Sequence, residues 1–371
     1  MSKAEREITP ALIVSEPARG AIHGRGFLEM SGIERVRAVL EGKLPRGPSA
    51  RLTGLHPTDV GVGMATFAMP ITGWWQTGAG AAPAGCMAFA ADAALSAAVM
   101  TAAPPGVGLT TSEMSMDYLR PATIRGGSVI ARARLIHSTR SLGLAEVAVE
   151  DARGRTLAHG TSRCVLFPVD LETVPERPPP PDDAETGTTV EPDPYLRPVE
   201  GEVLTQAEFD SRPGIDILRD RMQGRARPPI ARLFGFLVTA VDEGTATMAL
   251  PASGWLVSGL GTIYGGAIAL FADYACTAAV GTVIPAATAF SPMDLKISFL
   301  RPGLPGDGEL SATATVVHRG KTIAIVNCEV RNPEGKLLAM ANASNLILPG
   351  RPWDRPVYIA EEMTGGDTGG Q

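Results

Sequence analysis

Hydrophobic and polar positions change period along this chain, and the same changes occur twice. Around Gly244 the run TATMAL alternates and is closed by Pro251, as GMATFAM is by Pro70. Alternation sends successive side chains to opposite faces of an extended chain, so each run predicts a half-buried strand, the first of its unit. From about Ala84 to Met100, and again from Gly265 to Val280, nearly every residue is small or apolar, with Asp92 and Asp273 the lone charges. That pattern predicts a helix apolar on every side, which must be wrapped by other structure. Met293, Leu295, Ile297 and Phe299 then alternate with polar neighbours, matched by Met114, Met116 and Tyr118 in the earlier stretch. Two further strands, LSATATVVHR and TIAIVNCEVR, run into the turn signal Asn332-Pro333-Glu334-Gly335 and a last strand, KLLAMANASNLIL. Helix, strand, long apolar helix and antiparallel meander give an α+β unit: a sheet wrapped around one central helix.

A shift of 181 residues lays Arg51 to Pro168 on Arg232 to Pro349 without a gap. Pro70 meets Pro251, Gly73-Trp74 meets Gly254-Trp255, Gly85 meets Gly266 and Asp92 meets Asp273. Leu119-Arg120-Pro121 meets Leu300-Arg301-Pro302, and His137 meets His318. Each copy is preceded by an amphipathic segment, SGIERVRAVLEG or PGIDILRDRMQG, whose apolar spacing predicts an opening helix. Between the copies, PERPPPPDDAETGTTVEPDP has too few apolar side chains for a core and predicts a linker. The expected organisation is residues 1–168 for the first unit with an extension, 169–205 for the linker, 206–350 for the second unit and 351–371 for a tail.

Composition narrows the class. In 371 residues, 44% are apolar and 19% charged, enough for two ordinary cores. A net charge of -6 without any basic, aromatic-interleaved run argues against nucleic acid. The early charges of MSKAEREITPALIVSEPARG do not read as a signal peptide, and Asp92 interrupts the apolar stretch Ala79 to Pro105, which predicts a core helix rather than a membrane span. Cys86, Cys164, Cys276 and Cys328 are scattered in apolar surroundings, as buried thiols in a reducing compartment would be, so a cytoplasmic location is expected. No residue cluster has metal-ligand spacing, and neither a phosphate-loop lysine motif nor a nucleophile elbow is present.

An unpaired carboxylate inside an apolar helix costs several kcal/mol, so Asp92 and Asp273 need compensation or a use. The first-turn amides of such a helix are unpaired donors with the helix dipole behind them, an environment suited to a developing oxyanion. Gly265 and Gly266, or Ala84 and Gly85, occupy those turns.

The residues resemble the hotdog-fold thioesterases of the phenylacetyl-CoA type. Copy two reads Gly261-Thr-Ile-Tyr-Gly-Gly-Ala-Ile-Ala-Leu-Phe-Ala-Asp273 and later Phe299-Leu-Arg-Pro302, against a family pattern of His-Gly-Gly, an acidic residue two turns on, and aromatic-Leu-Arg-Pro. Tyr264 stands where the family usually has His, Ser258 where it has an orienting Asn, and copy one reads Pro83-Ala84-Gly85. The resemblance implies a tandem double hotdog that hydrolyses acyl-CoA without metal or organic cofactor, with Asp as general base or nucleophile. It implies two sites, each joining a helix opening of one hotdog to the Asp of the other: Tyr264 and Gly265 with Asp92 and Thr110 or Thr111, and Ala84 and Gly85 with Asp273 and Ser291. The first is preferred here because Pro83 removes a donor from the second while Tyr264 keeps a hydroxyl. Arg140 and Lys321, in matching loops, are candidates for the coenzyme A phosphates, and Trp74, Trp255 and Phe89 for a bulky acyl pocket. A homodimer of double-hotdog chains is the implied assembly, and a catalytically silent acyl-CoA binding protein is the alternative function.

Overall fold

A computed structural model of the chain describes residues 13–177 and 191–349. The centre of the expected linker and the expected tail lie outside the described residues. The first unit comprises α1 (Arg25–Glu29), α2 (Gly32–Leu40), α3 (Pro48–Thr53), β1 (His56–Gly61), β2 (Met64–Pro70), α4 (Gly85–Met100), β3 (Val107–Tyr118), β4 (Ser128–Ser138), β5 (Leu142–Asp151) and β6 (Thr156–Pro168). The second comprises α5 (Gln206–Ser211), α6 (Gly214–Met222), α7 (Pro229–Phe234), β7 (Leu237–Asp242), β8 (Thr245–Pro251), α8 (Gly265–Thr282), β9 (Thr288–Pro292), β10 (Asp294–Phe299), β11 (Glu309–Arg319), β12 (Ile323–Arg331) and β13 (Leu337–Pro349).

Both predicted opening helices form, as α2 and α6, and both apolar runs form the long helices α4 and α8. The alternating runs at 64–70 and 245–251 are strands, but second ones: each pairs with a strand missed in the sequence, β1 or β7. Those strands were overlooked because β1 is mostly exposed and opens His56-Pro57, with no clean alternation. Gly63 and Gly244 carry the turns of these hairpins at φ of 73° and 76°, a left-handed geometry that glycine adopts without strain. Each turn is tied to the end of its central helix, since the Gly63 and Gly244 amides donate to the hydroxyls of Thr101 and Thr282, both at 2.8 Å.

The strands make one antiparallel sheet in the order β1-β2-β4-β5-β6-β3-β10-β13-β12-β11-β8-β7, with β9 on β13. Its centre is the seam between β3 and β10, where Ser115 pairs with Lys296, its own counterpart in the repeat. The two units are therefore related about that pair, and the relation brings α4 and α8 into contact on one side of the sheet. Side chains such as Phe89, Leu95, Leu270 and Phe271 are fully buried there, each worth roughly 1.5–3 kcal/mol of apolar transfer. All four cysteines are buried and unpaired with one another.

Glycine also sets how the opening helices dock. A Cβ on Gly32 would lie 1.7 Å from the Met100 carbonyl oxygen, and one on Gly214 would lie 2.2 Å from that of Gly281. The ends of the linker segment have a structural role as well. Asp193 is buried 3.0 Å from Arg51 and 3.5 Å from Arg19 and Arg46, while Arg197 meets Glu16 at 2.8 Å, so this stretch clasps the N-terminal extension. That extension in turn reaches the second unit through the His23 amide and the Gly259 carbonyl, at 2.8 Å.

Candidate active site

Each central helix opens against the aspartate of the other. The Gly85 amide at the start of α4 donates to Asp273 Oδ2 on α8 at 2.8 Å. In the related place, Asp92 on α4 accepts from Thr111 Oγ at 2.8 Å and faces the Gly266 amide of α8. Close approach makes small residues necessary: a Cβ would stand 3.0 Å from Asp273 Oδ2 if built on Gly85, and 2.9 Å from Asp92 Oδ2 if built on Gly265. These amides were expected to be free, whereas the carboxylates engage them. The expected cross-unit pairing of helix opening and aspartate is what the structure contains.

Burial governs both carboxylates. Desolvation pushes Asp92 up to about 6, with the Thr111 hydroxyl and the Gly266 amide acting against it. Asp273 is pushed up to about 7 by the same cause, opposed only by Gly85. Thr111 has no hydroxyl counterpart, because Pro292 stands at its place in the repeat. Thr111 is therefore the threonine that reaches an aspartate, from a bulge in β3; Thr110 is exposed. Ser291 is exposed too, and its hydroxyl donates to the Pro292 carbonyl at 3.5 Å.

The space around the two pairs differs. A cavity of about 620 Å3 has Pro83, Ala84, Tyr118, Tyr274, Thr277 and Ser291 on its wall, and so reaches the chain neighbours of Gly85 and Asp273. Tyr264, Gly265, Asp92 and Thr111 are absent from that wall; Gly85 and Asp273 also lie behind it, but their chain neighbours Ala84 and Tyr274 line it. The Tyr264 ring instead fills the opening of α8: it packs edge-on against Phe89 at 4.8 Å, and its hydroxyl donates to the Phe89 carbonyl at 2.7 Å. Gly266 makes room for that ring, since a Cβ there would meet it at 2.5 Å. The tyrosine hydroxyl counted in favour of the Tyr264 and Asp92 pair is engaged inside the protein.

Other expected residues also fall elsewhere. Ser258 Oγ accepts the Leu260 amide at 3.2 Å and closes a tight turn. Arg140 and Lys321 sit at the exposed tips of the β4–β5 and β11–β12 hairpins, off the cavity wall, and His137 and His318 are exposed strand residues just before those tips. Trp74, Trp255 and Phe89 belong to the buried core rather than to the cavity. The cations on the wall are Arg120, Arg212, Arg221 and Arg227, of which the sequence marked Arg120 alone, as part of the repeated Leu-Arg-Pro. Arg212 is paired with Asp220 at 2.6 Å, whereas Arg221 and Arg227 form no ion pair with a described residue. A signal for Arg221 existed in the opening helices, where Val39 is its counterpart in copy one.

The model of the Thioesterase superfamily matches residues 83–158 and 260–339, one match in each unit and each beginning near the opening of a central helix. The acyl-coenzyme A thioesterase PaaI of Escherichia coli (strain K12) is 33% identical over 110 residues, which is 30% of this chain and 76% of that protein. The chain belongs to the thioesterase superfamily. Among solved structures, the TesB protein of Mycobacterium avium subsp. paratuberculosis is similar over 86% of this chain and 100% of its own, at a TM-score of 0.52 and 14% identity. A conserved protein of unknown function with a hot dog fold from Alicyclobacillus acidocaldarius is similar over 81% and 97%, at a TM-score of 0.51 and 14% identity. These two likenesses concern the fold, and they extend across both units of this thioesterase-superfamily chain. The expected tandem double hotdog is thereby met, and so is the expected enzyme class. None of its described helices is long and apolar enough to cross a membrane.

Proposed function

We propose that this thioesterase hydrolyses acyl-CoA at one site per chain, built from the opening of α4 and Asp273 of α8. The observation that carries the reading is the cavity, whose wall passes through Ala84 and Tyr274, the sequence neighbours of Gly85 and Asp273. Asp273 acts as general base. As a water oxygen bonds to the thioester carbon, the carboxylate takes one of its protons; the tetrahedral intermediate then collapses, the carbon–sulfur bond breaks with its electron pair on sulfur, and the proton held by Asp273 passes to the thiolate. The products are a carboxylic acid and a free thiol. A base must be ionised near its working pH yet retain proton affinity, and a carboxylate raised to about 7 meets both demands.

Coenzyme A as the thiol is supported by the name of the curated relative and by the cavity's cations. Arg221 forms no ion pair with a described residue, and it and Arg227, whose acidic neighbour is Glu202, suit phosphate groups. The largely apolar remainder of the wall, including Phe209, Phe236, Ile284 and Phe290, suits the acyl chain.

The test is release of free thiol from short, medium, long and aromatic acyl-CoAs by the wild type, Asp273→Asn and Asp92→Asn. The expected result is turnover that Asp273→Asn lowers about a thousandfold or more, within the usual range for a lost general base, and that Asp92→Asn changes by less than about threefold. Loss confined to Asp92→Asn would move the working site to the Tyr264 side. Saturable binding with no turnover of any ester would make the chain a binding protein.

A further inference from the structure

Charge gathers on the thioester carbonyl oxygen as water adds, and a donor must meet it. The first turn of α4 has little to offer. Pro83 has no N–H, the Gly85 amide is held by Asp273, the Cys86 amide by the Pro83 carbonyl at 3.1 Å, and the Met87 amide by the Ala84 carbonyl at 2.9 Å, which leaves the turn a single donor on the wall, the Ala84 amide.

Tyr118 closes β3, immediately before Leu119-Arg120-Pro121, and lies on the cavity wall. It is 9% exposed, and its hydroxyl has no hydrogen-bond partner. Of the residues with a buried side-chain polar atom left unpaired among the described residues, Tyr118 is the one that lies on the wall of this cavity. The groups close enough to act on it are Asp273 and Cys276 of α8, Cys86 in the first turn of α4, and Asp294. We propose that the Tyr118 hydroxyl is the hydrogen-bond donor to the carbonyl oxygen of the substrate, strengthening as that oxygen becomes negative. Tyr118 is then a catalytic residue, and the assignment rests on Asp273 being the base.

Two observations support it. An unpaired buried hydroxyl costs on the order of 1–3 kcal/mol, and the fold does not need one here: Phe299 holds the same place in the other unit, beside the filled site. Burial, with Asp273 adding to it, also holds the phenol well above its ordinary ionisation range, so the group remains a proton-bearing donor wherever the enzyme works.

The test is Tyr118→Phe in the full chain, assayed beside Asp273→Asn on an acyl-CoA that the wild type turns over, with thermal melting of each variant. The expected result is a kcat lowered roughly a hundredfold with KM within about threefold of wild type, as for one lost oxyanion donor, and a melting temperature unchanged or raised because an orphan hydroxyl has gone. Wild-type kcat in Tyr118→Phe while Asp273→Asn is inactive would overturn the role of Tyr118 and leave the base in place. A raised KM at constant kcat would overturn the transition-state role. Full turnover by Asp273→Asn would overturn both assignments together.

Discussion

The two helix-and-aspartate pairs come from one repeated plan, yet one borders a cavity and the other is packed shut. Three substitutions between the units account for it. Tyr264 stands where the open site has Pro83, and its ring seals the opening of α8. Met100 stands where the open site has Gly281. Arg35, at the place of Ile217, is buried with its guanidinium donating to the carbonyls of Leu28, Met30 and Val107, so it occupies ground whose counterpart is cavity wall. The filled site is also the one whose aspartate has a side-chain partner, Thr111. Duplication thus left one buried carboxylate with a side-chain and a backbone donor, and the other with the Gly85 amide alone, one residue behind a cavity wall.

The largest expected difference is in the pH response of the two aspartates. Turnover should fall as pH drops through about 7, where the Asp273 carboxylate becomes protonated, and that limb should be insensitive to Asp92→Asn. Stability carries the opposite preference. Asp273 has a folded pKa raised above its unfolded value, so its contribution is fully present below about pH 4 and is lost as pH rises through about 7. Asp273→Asn should therefore be nearly inactive yet more stable than wild type at pH 8, by on the order of a few kcal/mol, with a flatter melting profile between pH 5 and 8. An acidic limb near pH 4, or an Asn variant less stable at pH 8, would break the link between burial and activity.

Next in size is the volume of the open site. Gly281→Met copies Met100 into the wall, where even a Cβ comes 3.3 Å from Leu218 Cδ1. The side chain has the cavity to enter, so KM for a long acyl-CoA should rise about tenfold while that for a short one changes little. Equal effects on all chain lengths would place the acyl group elsewhere.

Much of this arrangement was legible in the sequence, and the limits of legibility are physical. The family resemblance paired Gly85 with Asp273 and Gly265 with Asp92, and the structure needs small residues there because two helix openings meet two carboxylates. Periodicity found the strands with one buried face and missed β1 and β7, which lie mostly exposed at the two ends of the sheet. The state of Tyr264 was illegible for a different reason. A tyrosine hydroxyl in a sequence is an available donor, whereas its use by the Phe89 carbonyl depends on packing between residues 175 positions apart. The same holds for Arg35 and Tyr118: one is a surface charge by its helical position and turns inward, and the other is one apolar step in an alternating strand until the cavity gives its hydroxyl a context.

The smallest expected effect is at the filled site, and it is the most direct check that this site is structural. Thr111→Val keeps the shape of the side chain and removes the hydroxyl that Asp92 accepts from. The folded pKa of Asp92, already raised to about 6, must then rise further. Its folded form thus loses most where the carboxylate would be ionised, so the loss of stability, about 1–3 kcal/mol for a buried charged acceptor deprived of its partner, should be seen at pH 8 and should shrink as pH falls below about 6. Turnover at Asp273 has no reason to change, because the Thr111 hydroxyl donates to Asp92 at the other helix opening. Melting temperatures of Thr111→Val at pH 5 and pH 8, read beside its kcat, decide the matter: a pH-dependent loss of stability with unchanged kcat keeps Asp92 structural, and a kcat lowered more than about threefold with stability intact would return it to catalysis.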